Sequence, residues 1–322
     1  MRTPRKDNTA EPLPPLRWPA PLVGEDLLAV ADLNTDEVGF LLDLATRVKA
    51  QPARYRHALQ DKTLAMLFEK PSLRTRVTFQ LAMEQLGGRA FYLGPEEIGL
   101  GKREAVKDVA RNLSCWVDAI MARVFSHETV FHLAEHAHVP VINGLSDLEH
   151  PCQALGDYMT LLEHRRHPSE TLLAWVGDGN NVCHSLIAGA ARTGVRMRVA
   201  TPPGYEPDAM VVSDALRVGG NIELTHNPCD AVAGADAVYT DVWVSMGKEA
   251  EAETRRRVFL PYQVNAALMK HARPDALFMH CLPARRGEEV TDEVLDAVHS
   301  IVCQQAENRL HIQKAILLAL LA

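Results

Sequence analysis

The stretch Phe68-Glu69-Lys70-Pro71-Ser72-Leu73-Arg74-Thr75-Arg76, continuing as VTFQLAMEQLGG to Gly88, decides how the chain reads. The run before it, Thr63 to Phe68, is apolar and short, the signature of a buried strand. Pro71 and Ser72 break that pattern. From Arg74 to Leu86 the apolar residues Val77, Phe79, Leu81, Met83 and Leu86 recur at helical spacing, and Gly87-Gly88 ends the helix. The segment is therefore strand, turn and helix, with Ser72 near the N-cap. Its turn carries two hydroxyls, Ser72 and Thr75, and two guanidiniums, Arg74 and Arg76. A helix N-terminus offers unpaired N–H groups and the positive end of a dipole, so this turn suits a phosphate. An ordinary capped helix with two solvated arginines is the plainer alternative.

Composition narrows the class. The 322 residues allow two domains of ordinary size, and 47% hydrophobic with 23% charged residues fits a globular protein. A net charge of -7 argues against nucleic acid as the main partner. No apolar run is long enough to span a bilayer, so no membrane role is expected. Residues 1–24 form a Pro-rich tail with acidic residues and no apolar signal core. The six cysteines form no CxxC pair, as expected for a reducing cytoplasmic setting.

Strand and helix patterns alternate along the chain. In the first half, strands are expected at Ala90–Leu93, Ala119–Val124 and Val139–Asn143, with helices between them and at His150–Glu163. The polar run EHRRHPSE, Glu163 to Glu170, marks a boundary. A second alternation follows, with strands at Leu172–Val176, Arg196–Ala200, Ile222–Thr225, Ala237–Asp241 and Ala276–His280. A strongly apolar helix closes the chain. The expected fold is α/β: two doubly wound parallel-sheet domains with the site in the cleft between them. Residues 25–165 form the first domain, joined by the C-terminal helix, residues 305–322, which crosses back onto it. Residues 166–304 form the second.

Other motifs fall at strand ends, where open α/β sheets bind ligands. His150-Pro151-Cys152-Gln153 offers an imidazole and a carboxamide at a helix start, although capping explains it equally well. Gly177-Asp178-Gly179-Asn180-Asn181-Val182 imitates a dinucleotide fingerprint but lacks its last glycine. Asp241 ends the strand AVYTD and is followed by Val242-Trp243-Val244-Ser245-Met246-Gly247. His280-Cys281-Leu282-Pro283 ends ALFMH, and adjacent His-Cys is poor metal-ligand geometry. Two patterns read as decoys: His132-Leu133-Ala134-Glu135-His136 fits a zinc-protease motif on an ordinary surface helix, and Arg255-Arg256-Arg257 reads as a solvated helix face.

Taken together and in order, these motifs resemble the transcarbamoylase family over about Glu25 to Leu321. SLRTR resembles its carbamoyl-phosphate loop, usually Ser-Thr-Arg-Thr-Arg, with Leu73 departing from Thr at a position that contributes mainly a backbone N–H. HCLP matches the family motif residue for residue, and Ser245-Met246-Gly247 is similar to the signature of its ornithine-specific members.

The resemblance implies that Ser72, Leu73, Arg74, Thr75 and Arg309 hold the phosphate. It further implies that Arg123 and His150 polarise the carbamoyl oxygen, that Gln153 holds the amino group, and that Leu282 touches the carbamoyl group. By the same resemblance Cys281 is expected beside the reacting amine as proton acceptor, and Asn181, Asp241, Ser245 and Met246 are expected to take ornithine. Arg76 is expected to be structural.

The implied activity is transfer of a carbamoyl group from carbamoyl phosphate to the δ-amine of L-ornithine, giving citrulline. No metal and no organic cofactor are implied. A homotrimer or multiple of trimers is implied, with sites completed across subunits. There a loop residue often Gln or His is Gly99 here, with Lys102 and Arg103 nearby. Putrescine or an N-acylated ornithine as substrate, or a non-catalytic binding role, are the alternatives.

Overall fold

The computed structural model describes residues 22–322 except 102, 166 and 246. The first half runs α1 (Thr35–Ala50), β1 (Thr63–Phe68), α2 (Leu73–Gln85), β2 (Arg89–Leu93), α3 (Pro95–Ile98), α4 (Val106–Ser114), β3 (Ala119–Arg123), α5 (His127–His136), β4 (Val141–Leu145) and α6 (Pro151–His164). The second runs β5 (Leu172–Val176), α7 (Asn181–Thr193), β6 (Arg196–Ala200), α8 (Ala209–Arg217), β7 (Ile222–Thr225), α9 (Pro228–Val232), β8 (Ala237–Thr240), α10 (Ala252–Phe259), α11 (Ala266–Met269), β9 (Leu277–His280) and α12 (Asp292–Leu295). The chain then ends in α13 (Val302–Leu321).

Two parallel sheets result, ordered β2-β1-β3-β4 and β7-β6-β5-β8-β9. Because side chains alternate along a strand, each sheet buries two different sets of residues. Leu64, Met66 and Phe68 of β1 enter a core shared by both halves, while Ala65 and Leu67 face a separate core with Val109, Leu113 and Val130. In β5, Leu173 and Trp175 join the shared core, and Leu172, Ala174 and Val176 pack with Val232, Val264 and Phe278 on the other side. Each sheet is thus covered on both faces, as the apolar strands required.

Helices α6, α7 and α13 make the shared core continuous. α13 crosses back to pack on α1, α2 and α6, and its buried residues run from Val302 to Leu321. It begins before residue 305. Of the expected tail, residues 1–21 lie outside the described residues, while Leu22 is buried and the Gly24 N–H donates to the Leu320 carbonyl at 3.1 Å. The short helices α3, α9, α11 and α12 have too few residues to show a period in sequence.

Candidate active site

Serine at position 72 caps α2: its Oγ accepts the Thr75 N–H at 3.3 Å. The helix N-terminus therefore sits at the carboxyl end of β1, with Leu73 exposed and Thr75 buried. Arg123 ends β3, where the pairing with β4 shifts register between Ala122 and Arg123. Such an irregularity re-aims a side chain at a strand end. His150 caps α6, and its N–H donates to Ser185 Oγ of α7 at 2.8 Å. Arg309 reaches in from α13 and donates from Nη2 to Thr75 Oγ1 at 3.0 Å. Since that oxygen accepts from Arg309, its hydroxyl hydrogen is left to donate elsewhere.

Arg74, Arg123 and Arg309 form one positive cluster. Burial, then Arg309, lowers the Arg123 guanidinium to about 10, with Arg74 adding to the shift. Burial likewise lowers Arg74 and Arg309. Among the described residues, none of the three has a carboxylate within ion-pair distance, and the buried Nε of each lacks a hydrogen-bond partner. Burial, followed by Arg309, Arg123 and Lys70, holds the His150 imidazole well below its usual range, so it is neutral. Its Nδ1 and the Oε1 of Gln153 are also buried without partners. Concentrated cations beside an unpaired acceptor fit a dianion that carries an amide.

The second half supplies an acidic counterpart. Asp241, at the end of β8, accepts from Cys281 Sγ at 3.0 Å, from its neighbour's Val242 N–H at 2.8 Å and from Asn180 Nδ2 at 2.8 Å. Burial, then Asp241, pushes the Cys281 thiol well above its usual range. Cys281 is therefore a protonated donor in the free protein. Asp241, His280 and Cys281 have the spacing of a metal site, and among the described residues they are one such group. Both ring nitrogens of His280 are engaged, however. Nδ1 accepts the Leu282 N–H at 2.8 Å and Nε2 meets Glu289 Oε1 at 3.1 Å. The His280 contact also holds Leu282 in the left-handed region, φ 59°, a conformation costing about 1–3 kcal/mol off glycine.

The sequence-derived residues do not all behave alike. Ser72, Arg74, Thr75, Arg123, His150, Gln153, Cys281 and Arg309 come together at the carboxyl edges of the two sheets. Asn181 begins α7 and donates from Nδ2 to the Ser146 carbonyl of the first half at 2.6 Å. Ser245 is part-exposed in the loop after β8; Met246 and Lys102 lie outside the described residues. Arg76 stacks its guanidinium 3.9 Å from the Tyr92 ring centroid, away from the cluster. Gly99 caps α3 at φ 53°. Among the described residues, the ion-pair partner of both His132 and His136 of the zinc-like motif is the exposed Glu135.

One expectation is overturned. Arg255 does not belong to a solvated face: it is 3% exposed, donating to Asp178 Oδ2 at 2.8 Å and to the Trp243 carbonyl at 3.0 Å. Arg256 and Arg257 are exposed. Consecutive helical residues point about 100° apart, so one arginine of three turned inward. A polar cleft of about 600 Å³ opens there, lined by Asp178, Gly179, Tyr205, Lys248 and Arg255 among others. Asn180 was also missed: it both caps α7 and steadies Asp241.

Residues 25–163 match the model of the aspartate/ornithine carbamoyltransferase carbamoyl-P binding domain, and residues 169–320 match that of the Asp/Orn binding domain. An anabolic ornithine carbamoyltransferase from Pyrococcus furiosus is 53% identical over 302 residues, spanning 92% of this chain and 96% of that one. A Carboxydothermus hydrogenoformans ornithine carbamoyltransferase is 52% identical over 304 residues, 92% and 98% of the two chains. Among solved structures, ornithine carbamoyltransferase from Pyrococcus furiosus superposes with TM-score 0.90 at 52% identity, covering 94% of this chain and 98% of that one. The Thermus thermophilus enzyme gives 0.85 at 50% identity, covering 92% and 99%. With both of its halves matched in order and the cationic and acidic clusters where those motifs fall, the chain belongs to the aspartate/ornithine carbamoyltransferase family.

Proposed function

We propose that the chain transfers the carbamoyl group of carbamoyl phosphate to the δ-amine of L-ornithine, releasing L-citrulline and phosphate. The observation that carries this reading is the cluster of buried Arg123 and Arg309 with half-buried Arg74, cations with no carboxylate partner among the described residues, together with the buried, unpaired Gln153 Oε1. On this reading residues 25–165 with helix 305–322 bind carbamoyl phosphate, and residues 166–304 bind ornithine.

The phosphate takes the N-terminus of α2, with Ser72, the Leu73 N–H, Arg74, Thr75 and Arg309. Arg123, neutral His150 and the Thr75 hydroxyl donate to the carbamoyl oxygen, and Gln153 Oε1 accepts from its NH2. The Leu282 backbone lies against the same group. These donors stabilise the negative charge that grows on that oxygen as the neutral δ-amine attacks the carbonyl carbon. A nitrogen–carbon bond forms, a tetrahedral intermediate collapses, and the carbon–oxygen bond to phosphate breaks. Phosphate leaves with the electron pair and takes the amine's proton. Cys281, a thiol donor in the free protein, steadies Asp241 rather than acting first as a base. Asp241 meets the α-ammonium of ornithine, with Asn181, Ser245 and Met246 toward the α-carboxylate end. The leaving group is already activated, so the step calls on no metal or organic cofactor.

Asp241 favours free ornithine over an N-acylated one, whose nitrogen carries no charge. Leu73 and Val77 of α2 and Phe91 of the edge strand β2 are exposed apolar residues. They support assembly as a homotrimer or multiple of trimers. The six free cysteines suit a reducing cytoplasm. No helix among the described residues is long and apolar enough to cross a membrane. Purified protein supplied with carbamoyl phosphate and L-ornithine tests the reading: citrulline and phosphate should appear in equal amounts, and absence of citrulline would refute it.

A further inference from the structure

Asp157 lies one turn after Gln153 on α6 and is 1% exposed. Its carboxylate gathers three donors from three elements. Gln153 Nε2 of α6 donates to Oδ1 at 2.8 Å, Gln305 Nε2 of α13 donates to Oδ1 at 2.9 Å, and the Tyr239 hydroxyl of β8 donates to Oδ2 at 2.8 Å. An ionised carboxylate only accepts, so it orients whatever it binds. A carboxamide has two nearly identical ends, and its partners decide which end faces where. With the Gln153 NH2 held by Asp157, Oε1 must point the other way, and there it is buried without a protein partner. The same group of atoms ties α6, α13 and β8 together, so a purely structural role would also account for its burial.

We propose that Asp157 is a positioning residue that sets the amide of Gln153, and so makes the site accept a carbamoyl NH2 and discriminate against a methyl group in its place. This rests on the carbamoyl-phosphate reading of the cluster. The Gln153 oxygen would pair with NH2 of the ligand; against a methyl group it would stay buried and unpaired. If Asp157 could not fix the amide, Gln153 could turn its own NH2 inward or swing aside, and the preference would fade.

The test compares two stable phosphonates that share every other group: phosphonoacetamide, with NH2, and acetonylphosphonate, with CH3. Calorimetry on the purified protein should give a preference for the amide of at least about tenfold. In Asp157→Ala that ratio should fall to within about threefold, through weaker binding of phosphonoacetamide alone. Asp157→Asn should keep it, because its oxygen still accepts both carboxamides while its NH2 faces the Tyr239 hydroxyl, which can accept. If Asp157→Ala weakens both ligands equally or leaves the ratio intact, the positioning role is refuted while the reading of the site stands. Should Asp157→Ala fail to fold, Asp157→Asn decides: a kept preference supports the proposal and a lost one overturns it. A wild-type protein that binds neither phosphonate refutes the underlying reading instead.

Discussion

Arg74, Arg123 and Arg309 repel one another unless an anion lies among them. Burial is the largest cause of lowered basicity in all three, and neighbouring arginines add to it for Arg123 and Arg309. A charge-assisted contact to a dianion contributes roughly 1.5–3 kcal/mol. Arg74→Ala should therefore weaken carbamoyl phosphate binding by roughly 10- to 150-fold, read by calorimetry on folded variant; unchanged binding would remove Arg74 from the site. At this scale the sequence was most informative where chemistry is local. Ser72, Arg74 and Thr75 sit in one turn, and a capped helix start advertises them. Asp157, Tyr239 and Gln305 meet across sequence separations of 82 and 148 residues, and nothing in their local patterns announces that meeting. Arg255 was misread because a run of three arginines says nothing about which one faces Asp178.

Strands and long helices were legible because their side chains obey a period of two or 3.6. β1 was placed to the residue, and β5, β6 and β7 also fell at their expected bounds. The four-residue helices α3, α11 and α12 span about one turn and carry no such signal. Contact between helices is a further property that periodicity does not reveal. Gly189 of α7 lies against Tyr158 of α6, and a Cβ built there would come within 2.3 Å of the ring. Tyr158 is fully buried and donates its hydroxyl to the Leu186 carbonyl at 2.5 Å, so the ring has little room to yield. Gly189→Ala should cost about 1–3 kcal/mol through overpacking. Urea unfolding would show it as a lower midpoint; an unchanged midpoint would mean that α6 and α7 can separate freely.

Across the whole molecule, the two halves are clasped beside the site. Glu149, next to His150, accepts from Ser185 of α7 in a short hydrogen bond and is 2% exposed. Burial pushes its carboxyl up to about 7. A raised carboxyl binds more protons folded than unfolded, so its contribution to stability is present at low pH and is lost as pH rises from about 4.5 to 7. Between those limits it amounts to roughly 3 kcal/mol. Glu149→Gln keeps an acceptor for Ser185 without the charge. It should match the wild type near pH 5 and unfold at higher temperature near pH 8; equal melting at both values would contradict the assignment.

The central claim is that the acidic cluster at Asp241 selects free ornithine while the cationic cluster holds carbamoyl phosphate. Steady-state kinetics with carbamoyl phosphate and three amines test it most directly: L-ornithine, putrescine and N-acetylornithine with its α-amine blocked. Putrescine has the reacting amine but lacks the α-carboxylate toward which Asn181 and Ser245 are proposed to lie, and N-acetylornithine lacks the charge that Asp241 meets. A site built to pair polar substrate groups rejects such analogues by up to about 10⁴–10⁵-fold. The account predicts kcat/KM for L-ornithine at least roughly 10³-fold above both. Comparable values for putrescine and ornithine would contradict it.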